Sequence, residues 1–386
     1  MRRLFALVAA VVLVDTMFYA AITPLLPGYT ADLGLSKTEA GVLSASYAAG
    51  TLIGTFPGAW FAARAGVRRA VLTGLALMSA SGVVFAFAEQ IALLDAARFL
   101  QGVGGAFSWI GGLAWLVSAT PASRRGELIG SALAAAIFGV LMGPVIGGIA
   151  TATGPEPVFS SAALLGLALA GWTRLTPAPG PAAFPGWARI RRALTGARVR
   201  AGFWFVMLPA VFSGVIWVLV PLRLDALGAG GLAIGAVFLV SALVEGAASP
   251  VFGRLSDRRG RIWPIRIGLV AAAVTSTVMP LPETVLLAGA AVVVAGLALG
   301  FCWTPAMALL SDAVEGEDVD QWLAFALVNL AWAGGQVLGG SGGGGLADRS
   351  SDAVTYGVVA ALLALTAAVL VGRRGREPAR ARLAGT

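Results

Sequence analysis

Residues 253–261 read Gly253-Arg254-Leu255-Ser256-Asp257-Arg258-Arg259-Gly260-Arg261, five charges and two glycines in nine positions, with long apolar runs on both sides. A stretch this charged cannot rest in hydrocarbon and its flanks cannot rest in water, so it is a short loop between two membrane-crossing helices. Half a chain earlier the same cadence occurs in Arg64-Ala65-Gly66-Val67-Arg68-Arg69, where Arg64 and Gly66 stand 194 positions before Arg258 and Gly260 in a chain of 386 residues. A basic turn repeated at half the chain length points to a duplicated protein of many spans.

Composition agrees. Hydrophobic residues make up 58% of the chain and charged residues 12%, too little polar surface to cover a water-soluble globule of this size. Runs long enough to cross about 30 Å of hydrocarbon as helices occur at 4–27, 40–61, 70–88, 91–118, 127–151, 157–173, 201–223, 231–252, 264–281, 284–309, 321–346 and 353–371. Twelve spans are therefore expected. The longest polar interruption, 174–200, divides six from six, which gives an N-terminal bundle at 1–173, a linker at 174–200, a C-terminal bundle at 201–372 and a basic tail at 373–386. The second half of the linker, Phe184-Pro-Gly-Trp187-Ala-Arg-Ile-Arg-Arg, reads as an amphipathic surface helix.

The arginines are distributed by side. Arg2, Arg3, Arg64, Arg68, Arg69, Arg124, Arg125, the linker, Arg254, Arg258, Arg259, Arg261 and the tail all fall on one face of a twelve-span chain, and only Lys37, Arg223 and Arg349 fall on the other. By the positive-inside bias both termini are cytoplasmic. The formal charge of +8 is thus topological and does not imply nucleic acid. The absence of histidine, a lone Cys302 within an apolar span, and no glycine-rich phosphate loop with its lysine argue against a metal, a cofactor, nucleotide drive and an enzymatic role. Proton chemistry, if present, must use carboxylates.

Two carboxylates lie deep. Asp15 is about 16 Å along the first span from Leu4 at ~1.5 Å per residue, near the bilayer midplane, and Glu245 is about 12 Å from the loop at Gly253. A carboxylate there is costly when charged, so Asp15 can exchange a proton for a cation. The alternative is a carboxyl that stays neutral or pairs with a neighbouring helix. Glu245 is either a second proton or substrate site or a partner for an arginine such as Arg266. Arg98 must face a cavity, a partner or the headgroups, because lipid would not accept it. Tyr19, Tyr47, Gln101, Trp109, Trp217, Asn329, Trp332 and Gln336 are the polar and aromatic candidates for a cavity wall, against packing as the plainer reading.

Four local patterns together resemble the major facilitator superfamily, and within it the twelve-span drug/proton antiporters. They are the 253–261 loop with its copy near Gly66, Arg98-Phe-Leu-Gln101-Gly102-Val-Gly104 in span four, Gly139-Val-Leu-Met-Gly143-Pro144-Val-Ile-Gly147-Gly148 in span five, and Asp15 ahead of Pro24 and Pro27 in span one. The span-five glycines recur 196 positions later as Gly335, Gly339, Gly343 and Gly344.

The resemblance implies an all-α membrane fold of two six-helix bundles, alternating access at the midplane, and no cofactor. It further implies a proton-coupled exporter of lipophilic, cationic small molecules in a bacterial inner membrane, with Asp15, Arg98 and Glu245 in proton coupling. Substrate, protons and the bilayer are its expected partners, and the monomer its working unit. The remaining readings are a symporter or uniporter of a metabolite and, more remotely, a membrane enzyme. The family's loop signature implies a conformational latch of Arg64, Gly66, Arg68, Arg69, Gly253, Asp257, Arg258, Gly260 and Arg261. The first copy departs from the pattern, with Ala59 and Ala63 where the family has glycine and aspartate. Asp312, Glu315, Glu317, Asp318 and Asp320 are either replacement partners for its arginines or a solvated acidic loop at the start of a helix.

Overall fold

The computed structural model describes residues 2–121, 125–180, 191, 194–315 and 321–374. The expected linker helix, the tail beyond Arg374, and Glu317, Asp318 and Asp320 lie outside the described residues. The described residues form twelve helical spans and no strand. The first, α1, runs Arg2–Ala20, tightens into a 3-10 turn at Thr23–Leu25 and resumes as Leu26–Leu33. Pro24 and Pro27 have no N–H to donate to the preceding turn, which is why the span is jointed there. The next five are α2 Lys37–Ala65, α3 Val67–Phe87, α4 Ile91–Ser118, α5 Arg125–Thr153 and α6 Pro155–Leu175. The second set is α7 Ala197–Ala226, α8 Gly231–Arg259, α9 Ile262–Val278, α10 Val285–Glu315, α11 and α12 Asp352–Arg374. The eleventh, α11, is Gln321–Val337, a π-helical turn Leu338–Gly342 and Gly343–Arg349.

Ten of these are long and apolar enough to cross a membrane. The other two are α9, apolar but 17 residues long, and α2, 29 residues long. Nearly every helix overruns its apolar stretch, because the polar turns at each end remain helical after leaving the hydrocarbon. Both basic turns pivot on a glycine in the left-handed region, Gly66 at φ 91° and Gly260 at φ 79°. A side chain at either would be strained, so the repeated glycine has a backbone reason.

Packing repeats with the sequence. In the first half α1 packs on α5, α2 and α3 on α4, and α3 on α6; in the second α7 packs on α11, α8 and α9 on α10, and α9 on α12. The halves meet through α5 against α8 and α2 against α11, two contacts that exchange under the same two-fold relation. The glycine ladder explains the tightness of these seams. Methyl groups placed on Gly139, Gly143 and Gly147 would collide with the backbone of Leu13, Met17 and Ala21 in α1, and on Gly335 and Gly339 with Met207 and Val211 in α7. The partners stand 194 positions apart, as do Gly231, against which Gly148 packs, and Lys37, against which Gly344 packs. With no hydrophobic drive between helices in lipid, this backbone-to-backbone approach supplies the van der Waals contact that holds them.

Contacts between the halves gather at the end away from the arginine-rich turns. There the Lys37 ammonium pairs with Asp352 at 2.6 Å, the Thr38 hydroxyl donates to Asp348 at 2.8 Å, Gly41 meets the Gly340 backbone, and Gly235 meets Pro144. Between the halves lies a central cavity.

Candidate functional site

That cavity, about 370 Å³, is lined by α1, α2, α4 and α5 from one half and by α7, α8, α10 and α11 from the other. The wall is mostly apolar. Its closed end is a cluster of four rings drawn from both halves. Tyr19 stands 4.6 Å from Tyr47, 5.1 Å from Trp217 in a stacked arrangement, and 5.3 Å edge-on from Trp332, centroid to centroid. Trp109, Asn329 and Gln336 complete the expected residues on the wall, and Gln336 is held by a 2.9 Å hydrogen bond from its amide to the Ser213 hydroxyl.

Asp15 is completely buried and stands one layer behind this wall. Its Oδ2 accepts from the Tyr47 hydroxyl at 2.7 Å and from the Trp109 indole N–H at 2.8 Å, and both donors face the cavity. Its Oδ1 is buried without a hydrogen-bond partner. Gly105 makes the fit possible, since a methyl there would stand against the Tyr47 hydroxyl and both Asp15 oxygens. Asp15 was expected on the cavity surface itself; its two donors occupy that surface instead, because a buried carboxylate needs hydrogen-bond donors more than it needs exposure.

Arg98 is likewise fully buried, which removes the snorkelling alternative. Its guanidinium donates to the backbone carbonyls of Phe18 at 3.2 Å and Tyr19 at 2.9 Å and to the Gln101 amide oxygen at 2.9 Å, and lies 5.8 and 5.4 Å from the ring centroids of Tyr19 and Tyr47. The carbonyls are available because α1 loses its regular ladder just beyond Ala20. Gln101, expected on the cavity wall, is not there: its side chain is engaged as a ligand of Arg98. Asp15, Tyr47, Trp109, Arg98 and Gln101 thus form one polar cluster inside the first half.

Glu245 does line the cavity, as its sole charged side chain among the described residues. Its carboxylate makes no hydrogen bond or ion pair there, so the expected pairing with Arg266 is absent. The wall also includes residues not singled out from sequence, among them Thr16, Thr51, Ser213, Ser249 and Phe325. The repeat itself held a signal for two of them, since Ser213 lies 194 positions after Tyr19 and Thr51 lies 194 before Glu245.

The loop residues divide by half. Arg261 binds Asp257 at 2.6 Å and Asp312 at 3.3 Å, which ties α8, α9 and α10 together. Asp312, weighed as a partner for Arg64, Arg68 or Arg69, pairs instead with Arg261 of its own half, which the adjoining α8–α9 turn brings beside α10. Arg68 donates to the Thr176 carbonyl at 2.6 Å, and the Arg64 guanidinium sits 5.1 Å from the Trp60 ring centroid.

The chain matches the family model described as Major Facilitator Superfamily over residues 8–222 and again over 203–386. A protein of Danio rerio named "Probable vesicular acetylcholine transporter-B" is 39% identical over 157 residues, 38% of this chain and 32% of that one. "MFS-type transporter ppzB" of Metarhizium majus is 31% identical over 141 residues, 35% and 31% of the two chains. The aligned region spans about a third of the length of these curated relatives. Among solved structures, a POT family transporter in complex with a thioalcohol-conjugated peptide superposes with a TM-score of 0.76 at 13% identity, covering 96% of each chain. The xylose transporter XylE from E. coli, in a partially occluded inward-open conformation, superposes with a TM-score of 0.71 at 16% identity over 96% of this chain and 98% of that one. At such identities the likeness shows a shared fold.

Proposed function

The chain belongs to the major facilitator superfamily and is a multi-pass membrane transporter, and from that premise we propose that it exports a lipophilic organic cation in exchange for protons. The observation that carries this reading is the sealed Asp15 cluster standing directly behind the cavity wall. A carboxylate with a free oxygen, screened from lipid and joined to the cavity by two donors, can gain and lose a proton as the cavity changes sides. Arg98 lies in the same cluster, so the local charge alternates between neutral and positive as Asp15 is ionised or protonated. That change is transmitted to the rings of Tyr19 and Tyr47, which touch Trp217 and Trp332 of the other half, so proton loading alters the contact about which the halves rock.

The apolar, ring-lined cavity supports a lipophilic substrate. The local likeness to a protein named as an acetylcholine transporter supports an organic cation. The distribution of arginines supports a cytoplasmic location for the basic end and both termini, with the captured state open to the cytoplasm. The bundles, 1–173 and 201–372, act as the two rocking bodies of a monomer in a bacterial inner membrane.

The test is gradient-driven transport in proteoliposomes with the proton gradient imposed in either direction. Asp15→Asn, whose amide oxygen still accepts from Tyr47 and Trp109, is expected to keep its fold and lose gradient-driven accumulation of ethidium by about a hundredfold, the scale of an essential proton-transfer group. Wild-type activity in the variant overturns the reading. Movement of substrate with the proton rather than against it establishes symport instead.

A further inference from the structure

We propose that Glu245, and not the aromatic cluster, receives the positive group of the substrate, while the rings take its apolar body. This rests on the export reading above and fixes the orientation and class of the cargo: a monovalent organic cation with one charged end and one apolar end.

The aromatic end of the cavity is a poor place for a second cation. The ring faces of Tyr19 and Tyr47 already meet the Arg98 guanidinium at 5.8 and 5.4 Å. A substrate cation pressed on the same rings would lie within about 10 Å of that charge, in a medium where like charges repel strongly. Asp15 cannot offset this from the cavity side, because its Oδ2 is committed to Tyr47 and Trp109 and its burial leaves it no cavity face. The rings also pack against one another, tilted, stacked and edge-on, at 4.6–5.3 Å between centroids, so they present a wall and not an open cage.

Glu245 has the opposite character. It brings the one formal charge to the described lining and has no partner. Its stem rests in a slot on α10 made by two glycines: a methyl placed on Gly300 would stand 3.2 Å from Glu245 Cγ, and one on Gly296 would stand 3.7 Å from Glu245 Oε2. Ser241 also packs on Gly296, and its hydroxyl is turned away to the Val292 carbonyl at 3.1 Å. The carboxyl is thereby positioned but left without a partner, a state whose ionised form costs free energy unless a cation or a proton binds, so that cargo and proton compete for it. Ser249 and Asn329 share its wall and can accept from a protonated amine. One uncompensated charge in an apolar chamber favours a monocation over a dication, an anion or a neutral solute.

The probes are methyltriphenylphosphonium, whose charge is accessible at the methyl end opposite its three phenyl rings, and its neutral analogue triphenylphosphine oxide, titrated against detergent-purified protein. Glu245→Gln is expected to weaken phosphonium binding by about tenfold or more, as for loss of a desolvated charge partner, and to leave the oxide within about twofold. Glu245→Asp keeps most of the phosphonium affinity. Gly300→Ala, whose methyl would crowd first the Phe252 ring at 2.6 Å and then the Glu245 stem at 3.2 Å, retains the carboxylate but shifts it, and weakens the phosphonium more than the oxide. Trp332→Ala weakens both ligands, since both lose the same apolar wall. Equal phosphonium affinity in wild type, Glu245→Gln and Gly300→Ala overturns the inference while leaving cation export standing. A wild-type protein that binds the oxide more tightly than the phosphonium overturns both.

Discussion

The two halves share a backbone plan and differ in chemistry. Positions related by 194 residues carry Asp15 and Pro209, Tyr47 and Ser241, Arg98 and Val292, Lys37 and Gly231 in the first and second halves. The reverse holds for Thr51 and Glu245 and for Ala63 and Asp257. The scaffold is symmetric because glycine seams and ridge packing depend on backbone shape. On the export reading proposed above, the polar groups are asymmetric because a proton site and a substrate site impose different demands. The first half holds a cluster in which buried Asp15 and Arg98 stand behind the cavity wall and only the Tyr47 and Trp109 side chains reach it; the second presents the carboxylate of Glu245 to the cavity directly. One half is thereby suited to storing a proton and the other to holding a cargo.

The sharpest way to break this comparison is to remove the buried arginine and its counterpart. Arg98→Met strips donors from two backbone carbonyls and Gln101 and exposes Asp15 to an uncompensated site, so it should destabilise the detergent-solubilised protein by about 3 kcal/mol. Val292→Ala, the equivalent change in the other half, should cost about 1 kcal/mol as an ordinary small cavity. Thermal unfolding followed by loss of the monodisperse species checks both, and equal losses would deny the asymmetry.

The glycine seams test the symmetric side. Gly143→Val, directed at Met17 and Ala20, and Gly339→Val, directed at Val211 and Gly214, should each cost about 1–3 kcal/mol by overpacking and should agree with one another within about 1 kcal/mol. A large difference in the same unfolding measurement would show that the two-fold relation is only approximate in energy.

The smallest effect belongs to the closed end, where one seam carries charges and the other does not. Lys37–Asp352 is about one third exposed on each side, so screening reduces its value to ~0.2–1 kcal/mol. Lys37→Ala should therefore shift the balance toward the state open at this end by no more than about fivefold. Distances between spin labels placed across that end report the shift; Cys302, the sole native cysteine, is buried and leaves the labelling sites to engineered positions.

Much of this architecture is legible in the chain. Asp15 and Arg98 stand out because an ionisable residue within an apolar run is costly wherever it faces, and the glycine ladder stands out because its spacing survives duplication. The jointed α1 follows from Pro24 and Pro27. The π-helical turn of α11, by contrast, arises where Gly339, Gly340 and Gly342 cluster, and nothing local distinguishes it from a continuous helix; contact of Gly340 with Gly41 in the other half stabilises the widened turn. Gln101 was read as cavity lining and is a ligand of Arg98 because the two sit one turn apart on the same face of α4, a relation that spacing permits but does not select.

Sequence alone determined the number of spans, the duplication and the residues too polar to face lipid, since each depends on the transfer of local groups between water and hydrocarbon. Only the tertiary structure decided which deep carboxylate meets the cavity and which is sealed behind it. A helix that is apolar all round carries no mark of its own rotation, and the angle at which α1 and α8 present Asp15 and Glu245 is set by the neighbours packed against them.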